Sequence, residues 1–400
     1  MDTLTIDVLA EFTQQDVTEA REPMDRFTRD AIAGYVRDVL LGWGLLQPLL
    51  DDPQVETITI NGADSVWVTL ADGTTRPTAP IADSDTDLID LLQQRAARAG
   101  DHQNPDGHQE RRFTRSHPWL FLELPDGSRL TAIAWLTRRP FVSIRRHRYR
   151  HVSLSDLVEL GVMSELLRQF FAAAVLGHRN ILICGAPGIG KTTFLRGLAS
   201  VIPAQERIWT IEDIYELRLD QDPAHLVVTA AQTRDANIEG EGAITQEDLV
   251  VLATRGSPER MIVGEIRGPE IVAFFAAMNM GVGGMSTIHA SSSEQAPLKA
   301  ASYAGLSSQR LSLEASNLLF ASAVQLVVYL TTATDGRRVV SSVREIVGAD
   351  EKTVISNELF RPGTDRRAEP GAAPSDRLRA ILTAQNLPPD AFITSGRWWK

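Results

Sequence analysis

Ile181-Leu182-Ile183-Cys184-Gly185-Ala186-Pro187-Gly188-Ile189-Gly190-Lys191-Thr192-Thr193 is the stretch from which the rest of the chain reads outward. A short apolar run of strand character enters a glycine-rich loop, and Phe194–Ser200 continues from the loop as a helix. Gly185, Gly190, Lys191 and Thr192 satisfy the pattern G-x-x-x-x-G-K-[ST]. Glycines permit turns closed to other residues, so successive N–H groups can converge on one concavity. A helix that starts there adds the positive end of its dipole, and a polyphosphate is favoured. Lys191 is placed to reach β- and γ-phosphates and the Thr192 hydroxyl to ligand Mg²⁺. Ala186, Pro187, Gly188, Ile189 and Thr193 complete the loop. The plain alternative is a glycine-rich turn with a surface lysine, but strand, full pattern and helix in succession favour a site for ATP and Mg²⁺.

Composition sets the frame. Four hundred residues suggest two or three domains, and 43% hydrophobic with 23% charged residues is ordinary for a soluble globular protein. A net charge of −11 argues against a surface that grips nucleic acid throughout. Cys184 is the single cysteine, so there is no internal disulfide framework, and its place at the end of the apolar run suggests a buried small hydrophobe. The start Met1-Asp2-Thr3-Leu4-Thr5-Ile6-Asp7 lacks the basic and apolar regions of a secretory signal. The apolar stretches Phe170–Gly177 and Ile271–Gly284 are too short or too interrupted to span a bilayer. The expectation is a soluble cytoplasmic protein with no transmembrane segment, docked on a membrane only through a partner.

Hydrophobic periodicity then divides the chain. Residues 1–50 read as a helical segment, with Phe27, Ile32, Tyr35, Val36, Val39 and Leu40 at helical spacing and Asp51-Asp52-Pro53 as the stop. Residues 51–150 read as a small α+β domain and linker. In it Thr57–Gly62, Ser65–Leu70, Phe121–Leu124, Leu130–Trp135 and Phe141–Ile144 are strands, Asp87–Ala99 a helix and Asn104–Arg115 an exposed loop. Residues 151–350 alternate helix and apolar strand as a mostly parallel sheet flanked by helices requires. The predicted strands are Arg207–Ile211, Leu226–Thr229, Arg260–Gly264, Met285–His289, Val324–Leu330 and Arg338–Ile346; helices cover Ser164–Gly177, Gln246–Thr254 and Pro269–Met280. Residues 351–400 read as a C-terminal flexible linker, Arg361–Ser375, and a short helix, Asp376–Asn386, before the tail Trp398-Trp399-Lys400.

A phosphate loop needs a carboxylate at Mg²⁺ and a group that orients the attacking water. Met261-Ile262-Val263-Gly264-Glu265 and Trp209-Thr210-Ile211-Glu212-Asp213 are apolar strands that deliver acids at their ends. In a parallel sheet those ends share an edge with the loop. Either acid could equally be a solvated strand terminus; together, behind a phosphate loop, they point to a site. His289 closes the strand Gly284-Met285-Ser286-Thr287-Ile288 and suits a γ-phosphate sensor better than a general base. Arg234, Arg255 and Arg267 are candidates for neutralising transition-state charge, although a lone arginine is by default a surface cation. Arg138, Arg139, Arg145, Arg146, Arg148 and Arg150 cluster without the interleaved aromatics of a nucleic-acid platform. Cations reaching toward a nucleotide are the better reading of that cluster, and a solvated linker the other.

In this order the boxes resemble the type II/IV secretion ATPase superfamily: Gly185–Thr193, then Thr210-Ile211-Glu212-Asp213-Ile214-Tyr215-Glu216-Leu217, then Ile262–Gly268, then Gly284–Ala290. Ile58–Gly62, Leu124-Pro125-Asp126-Gly127-Ser128-Arg129 and Asn237-Ile238-Glu239-Gly240 resemble its CpaF/TadA branch, the Tad (Flp) pilus assembly motor. The resemblance runs from about residue 50 to 350. It implies a RecA-like P-loop ATPase domain behind a mobile N-terminal domain, a homo-hexameric ring and an inner-membrane platform protein as partner. It implies Glu212 as the acid that prepares water, Glu265 as the acid at Mg²⁺, His289 as sensor, and Arg255 with Arg145 or Arg146 as the cations. Ser257 stands where the branch often has a second arginine, and Ser291 where an asparagine is usual. A zinc module of four cysteines is absent from the sequence. Three other readings compete: a conjugative DNA-transfer ATPase of the same superfamily, a nucleotide-gated scaffold without turnover, and a small-molecule P-loop kinase. Direct nucleic-acid binding is not expected.

Overall fold

The period of two that begins near Thr57 builds the first of two sheets. The structure, a computed structural model, describes residues 42–103, 113–124, 126–146, 151–236 and 240–388, with Thr28, Ile32 and Gly34 ahead of them. Most of the helix expected before residue 42, part of the Asn104–Arg115 loop, Pro125, Arg148, Arg150, Asn237-Ile238-Glu239 and the Trp398-Trp399 tail lie outside the described residues. The chain divides into two units, Met1–Arg148 and Tyr149–Lys400.

In the first unit α1 (Gln47–Asp51) leads into β1 (Val55–Asn61), β2 (Val66–Leu70) and β3 (Thr75–Thr78), then α2 (Asp85–Gln103), β4 (Trp119–Glu123), β5 (Arg129–Ile133) and β6 (Phe141–Arg145). All pairings are antiparallel, in the order β3-β2-β1-β6-β5-β4. Alternation puts Ile58, Ile60, Val68, Leu122, Leu130 and Ile144 on one buried face, with Leu88 and Leu92 of α2 in the same core. β3 was not expected from the sequence. It carries Pro77 and lies at the edge of the sheet, where a missing N–H is tolerated.

The second unit opens with α3 (Leu154–Glu159), capped by a Ser153–Asp156 box, and α4 (Glu165–Leu176), capped by Ser164. There follow β7 (Ile181–Gly185), α5 (Lys191–Ala199), β8 (Ile208–Glu212), β9 (Val228–Gln232), α6 (Gln246–Arg255), β10 (Arg260–Ile266), α7 (Glu270–Asn279) and β11 (Gly283–Ile288). Two helices unassigned from sequence, α8 (Ala296–Gly305) and α9 (Leu313–Ala323), precede β12 (Leu326–Thr332), β13 (Arg338–Ala349), β14 (Val354–Pro362), β15 (Ala368–Pro370) and α10 (Asp376–Ala384). The nine-stranded sheet runs β15-β14-β13-β12-β7-β11-β10-β8-β9; it is parallel from β12 to β9 and antiparallel from β12 to β15. This is an α/β fold with an antiparallel extension.

Every residue of β7 is buried. Ile181 and Ile183 face a core that includes α3, α4 and α5, while Leu182 and Cys184 face one that includes residues of α6 to α9. Continuous burial without alternation is the signature of a strand covered on both faces.

The expectation of a flexible linker at Arg361–Ser375 is corrected. β14 continues to Pro362, a turn closes through Gly363 N donating to Arg367 O at 2.7 Å, and β15 pairs back onto it. Arg367 bridges Asp335 and Asp365 at 2.7 and 2.8 Å, and Phe360 and Ala368 enter the core. The Pro, Gly and charge content that suggested disorder belongs to a hairpin turn and an edge strand, which are polar by position. Glu345 then accepts from the Ser375 amide at 2.8 Å and from its hydroxyl, setting the start of α10. Leu378 and Leu382 carry α10 into the same core as Phe170 of α4.

Asn180 fastens the entry to β7. Its Nδ2 donates to Ala323 O at 2.6 Å, its Oδ1 accepts from Gly284 N at 2.7 Å and its amide donates to Gln325 Oε1 at 2.9 Å. Asn180→Ala leaves the buried Gly284 amide without its acceptor, while Ala323 O keeps Gln325 Nε2 at 3.0 Å, and should destabilise the second unit by about 2 kcal/mol. Urea unfolding followed by circular dichroism measures this; an unchanged midpoint would show that those groups find other partners.

Candidate active site

The loop after β7 has the geometry its glycines were read for. Gly188 and Gly190 take φ of 75° and 96°, the left-handed region. At Gly185 a Cβ would lie 2.7 Å from Leu330 O and 2.9 Å from Ile189 Cγ2, so the strand can turn into the loop there only without a side chain. Gly190 N-caps α5 with no side-chain hydrogen bond, which leaves the amides of the first turn to an anion. Lys191, 7% exposed, directs Nζ to Gly185 O at 3.1 Å, Ala186 O at 3.0 Å and His289 Nδ1 at 3.1 Å. These three acceptors match the three protons of an ammonium. Thr192 and Thr193 stand half-buried in the same turn.

Across the neighbouring strand ends the polar side chains are joined in series. His289, just past β11, sets Nε2 2.5 Å from Glu265 Oε1. Glu265 Oε2 accepts from Arg267 Nε at 2.7 Å, and Arg267 Nη1 donates to Asp213 Oδ2 at 3.0 Å. Asp213 Oδ1 in turn accepts from Gln246 Nε2 at 3.0 Å and Thr233 Oγ1 at 3.2 Å. Burial opposes the charge of Arg267, but Glu265 and then Asp213 more than offset it, and its pKa is raised. A neutral His289 with its proton on Nε2 satisfies both neighbours, accepting from Lys191 and donating to Glu265. The adjacent contact of Nδ1 with Gly185 O, at 3.2 Å, is then not a hydrogen bond.

Glu212 is 3% exposed at the end of β8. Its Oε2 accepts from Glu216 N at 2.8 Å and Leu217 N at 2.9 Å, which fixes the carboxylate. Gly264 makes room for it: a Cβ there would sit 3.2 Å from Glu212 Cγ. Two supports were not read from the sequence. Thr287 Oγ1 donates to Gly264 O at 2.8 Å, and Glu270 Oε1 accepts from the amides of Arg267 and Gly268 at 2.6 and 2.8 Å. An acid three positions after Arg267 at a helix start is the signal that could have shown the second.

For Mg·ATP these residues fit. The uncapped turn and Lys191 suit phosphates, and Thr192 Oγ1 with Glu265 suits an ion that keeps most of its waters. Among the described residues no group of three His, Cys, Asp or Glu could hold a metal alone. Within this unit, Arg255 and Arg234 are not brought to the loop. Arg255 ends α6, exposed, before β10 begins, so it stands at the opposite edge of the sheet from Glu265. The strand between them, Arg260 to Glu265, spans about 17 Å at ~3.3 Å per residue. Arg234 is exposed beyond β9, its Nε donating to Gly242 O at 2.8 Å, four strands from β7 or about 19 Å. Arg145 and Arg146 belong to the first unit. Arg146 donates to the carbonyls of Asp52 and Val55 and lies 3.8 Å from Asp126. Arg139 is committed to Asp64 and Asp85.

A family profile described as type II/IV secretion system protein matches residues 114–360. A putative conjugal transfer protein of Mycobacterium tuberculosis H37Rv is 31% identical over 308 residues, covering 75% of this chain and 83% of that protein. VirB11 of Agrobacterium fabrum C58 is 30% identical over 318 residues, covering 71% of this chain and 88% of that one. Among solved structures, the Legionella pneumophila ATPase DotB aligns with TM-score 0.51 and 19% identity over 76% of this chain and 80% of the other, a likeness of fold.

Cys184 provides an internal reporter of this region. Burial pushes its thiol up to about 12, and Sγ donates to Ser292 O at 3.5 Å. The folded protein should therefore resist iodoacetamide at pH 8 and react stoichiometrically once unfolded, as mass spectrometry would show; fast labelling of the folded chain would contradict the closed packing of β7.

Proposed function

The chain belongs to the type II/IV secretion system protein family, and we propose that it is a Mg²⁺-dependent ATPase that powers pilus assembly or secretion through a membrane machine. The observation that carries this reading is the series Lys191–His289–Glu265–Arg267–Asp213 drawn up beside an uncapped phosphate-loop helix. Bound Mg·ATP supplies the transferable γ-phosphoryl group and the cation that neutralises its charge. Lys191 exchanges loop carbonyls for phosphate oxygens. Glu212, held by two backbone amides, orients a water and accepts its proton. Glu265 holds the metal through water, and His289 couples the position of Lys191 to that carboxylate. Catalysis then rests on positioning and charge rather than covalent chemistry.

Several finer parts of the reading go with it. A RecA-like motor domain in a homo-hexameric ring gives Arg255, Arg234, Arg145 and Arg146 a task at a neighbouring copy's nucleotide, since Arg255 and Arg234 lie far from their own loop. Ile58–Gly62 and Leu124–Arg129 favour the Tad pilus branch. The likeness to a putative conjugal transfer protein favours DNA transfer as the second reading. The place of action is the cytoplasmic face of a membrane, on a platform protein; no helix among the described residues is long and apolar enough to cross one.

The test is steady-state phosphate release by the full chain, with and without Mg²⁺, over a protein-concentration series. Lys191→Ala, Glu265→Gln and Glu212→Gln should each lose about 10²-fold or more in kcat. Specific activity should rise with concentration if copies complete one another's sites. Tight ATP binding without turnover would leave a nucleotide-gated scaffold, phosphate transfer to a small acceptor would leave a kinase, and stimulation by single-stranded DNA would favour the conjugative reading.

A further inference from the structure

The antiparallel extension places one further cation at the phosphate loop. β12 runs parallel to β7 with Leu330 opposite Gly185, and the Leu330 carbonyl is the group a Cβ on Gly185 would strike at 2.7 Å. β12 continues past that level to Thr332, turns at Asp335 and Gly336, and returns as β13 with Arg338 opposite Thr332. The base of this hairpin therefore stands beside the loop. Arg338 Cδ comes within 3.8 Å of the Cβ position of Gly190, so the aliphatic stem of an exposed arginine lies against the residue that caps α5.

The hairpin is held in place by its own contacts. Ala333 N donates to Arg337 O at 2.8 Å, Arg366 Nη1 donates to Thr332 O at 3.3 Å, and Arg367 joins Asp335 at 2.7 Å and Asp365 at 2.8 Å. Arg367 and Arg337 thus meet the two acids of the neighbouring turns, Arg337 lying 3.8 Å from Asp335, and Arg338 and Arg366 add positive charge on this side of the loop. An anion there meets attraction rather than repulsion.

Sheet order says which part of a nucleotide that side serves. Glu265, Glu212 and His289 emerge from β10, β8 and β11, all on one side of β7, while Arg338 comes from β13 on the other. A polyphosphate whose reacting end lies toward those acids has its nucleoside end toward β12 and β13. We infer that Arg338 is a nucleotide-binding residue supplied by the chain's own β12–β13 hairpin, contacting the α-phosphate and nucleoside end of ATP rather than its γ-phosphate. The guanidinium is suited to it, since it pairs phosphate oxygens in a fixed fork and also stacks on a planar base.

This assignment rests on the ATPase reading, and binding separates the two. Calorimetric titration of the full chain uses Mg²⁺ with ADP and, separately, with a non-hydrolysable ATP analogue. It compares the wild type with Arg338→Met, Arg338→Lys and, as a neighbouring surface control, Arg337→Met. Arg338→Met should weaken ADP and the ATP analogue by the same factor, about tenfold, the scale of one charge-assisted phosphate contact. Arg338→Lys should recover part of the loss, Arg337→Met should bind as the wild type does, and all should share one melting temperature. Unchanged affinity in Arg338→Met overturns the assignment. Weakening confined to the triphosphate analogue overturns it too, by moving the contact to the γ end. A wild-type chain that binds neither nucleotide overturns the ATPase reading, and this inference with it.

Discussion

The close approach of β7 and β12 at Gly185 and Leu330 governs the rest of the second unit. A hydrogen at Gly185, in place of a methyl, lets the strand end against a neighbour's carbonyl and turn at once into the loop. Because β7 is buried over its whole length, helices must cover both of its faces, and the two apolar clusters that include its alternate residues do so. The loop is thereby held on a rigid edge rather than on a surface excursion. Lys191, Glu212 and His289 inherit that rigidity, since each begins or follows an element packed in the same sheet or beside it.

The polar side chains at that edge form an alternation of sign rather than a collection of separate ion pairs. Lys191 and Arg267 are the cations, Glu265 and Asp213 the anions, and His289 joins Lys191 to Glu265. In such a row a shift of one member changes the field at the next, and partial burial keeps water from screening it fully. The arrangement also explains why arginine rather than lysine stands at 267: its fork meets Glu265 through Nε and Nη2 and still offers Nη1 to Asp213. Glu212 sits outside the row, its Oε2 held by two backbone amides of the following segment.

What could be read in the sequence was what sequence encodes locally. The glycine spacing, the apolar runs ending in Glu212 and Glu265, and the helix start at Ser164 are all written within a few residues. The strand edges themselves shifted by up to three positions, as at β9 and β13. Which arginines reach the loop was not legible, because reach depends on how strands traverse the sheet. Arg255 is near Glu265 in sequence, yet β10 carries the two to opposite edges, while Arg338, remote in sequence, returns beside Gly190. Composition misled at Arg361–Ser375, where a polar edge hairpin has the same residues as a linker. Pro77 hid β3 for a related reason, since a proline argues against a strand except at an edge.

The order in which β7 acquires its neighbours bears on how the protein comes to exist in a cell. One flank, β11, is tied through Asn180 and Gly284 at a separation of 104 residues, and the other, β12, through Asn180 and Gln325 at 145. A ribosome that has just released the phosphate loop has made a glycine-rich segment with neither of its flanking strands. The loop waits through the synthesis of four further strands, β8 to β11, and the helices among them before β12 emerges. Non-local pairing of this kind is slow to form and leaves apolar strand edges open in the meantime. Until β12 arrives, one flank of β7 stands without its partner.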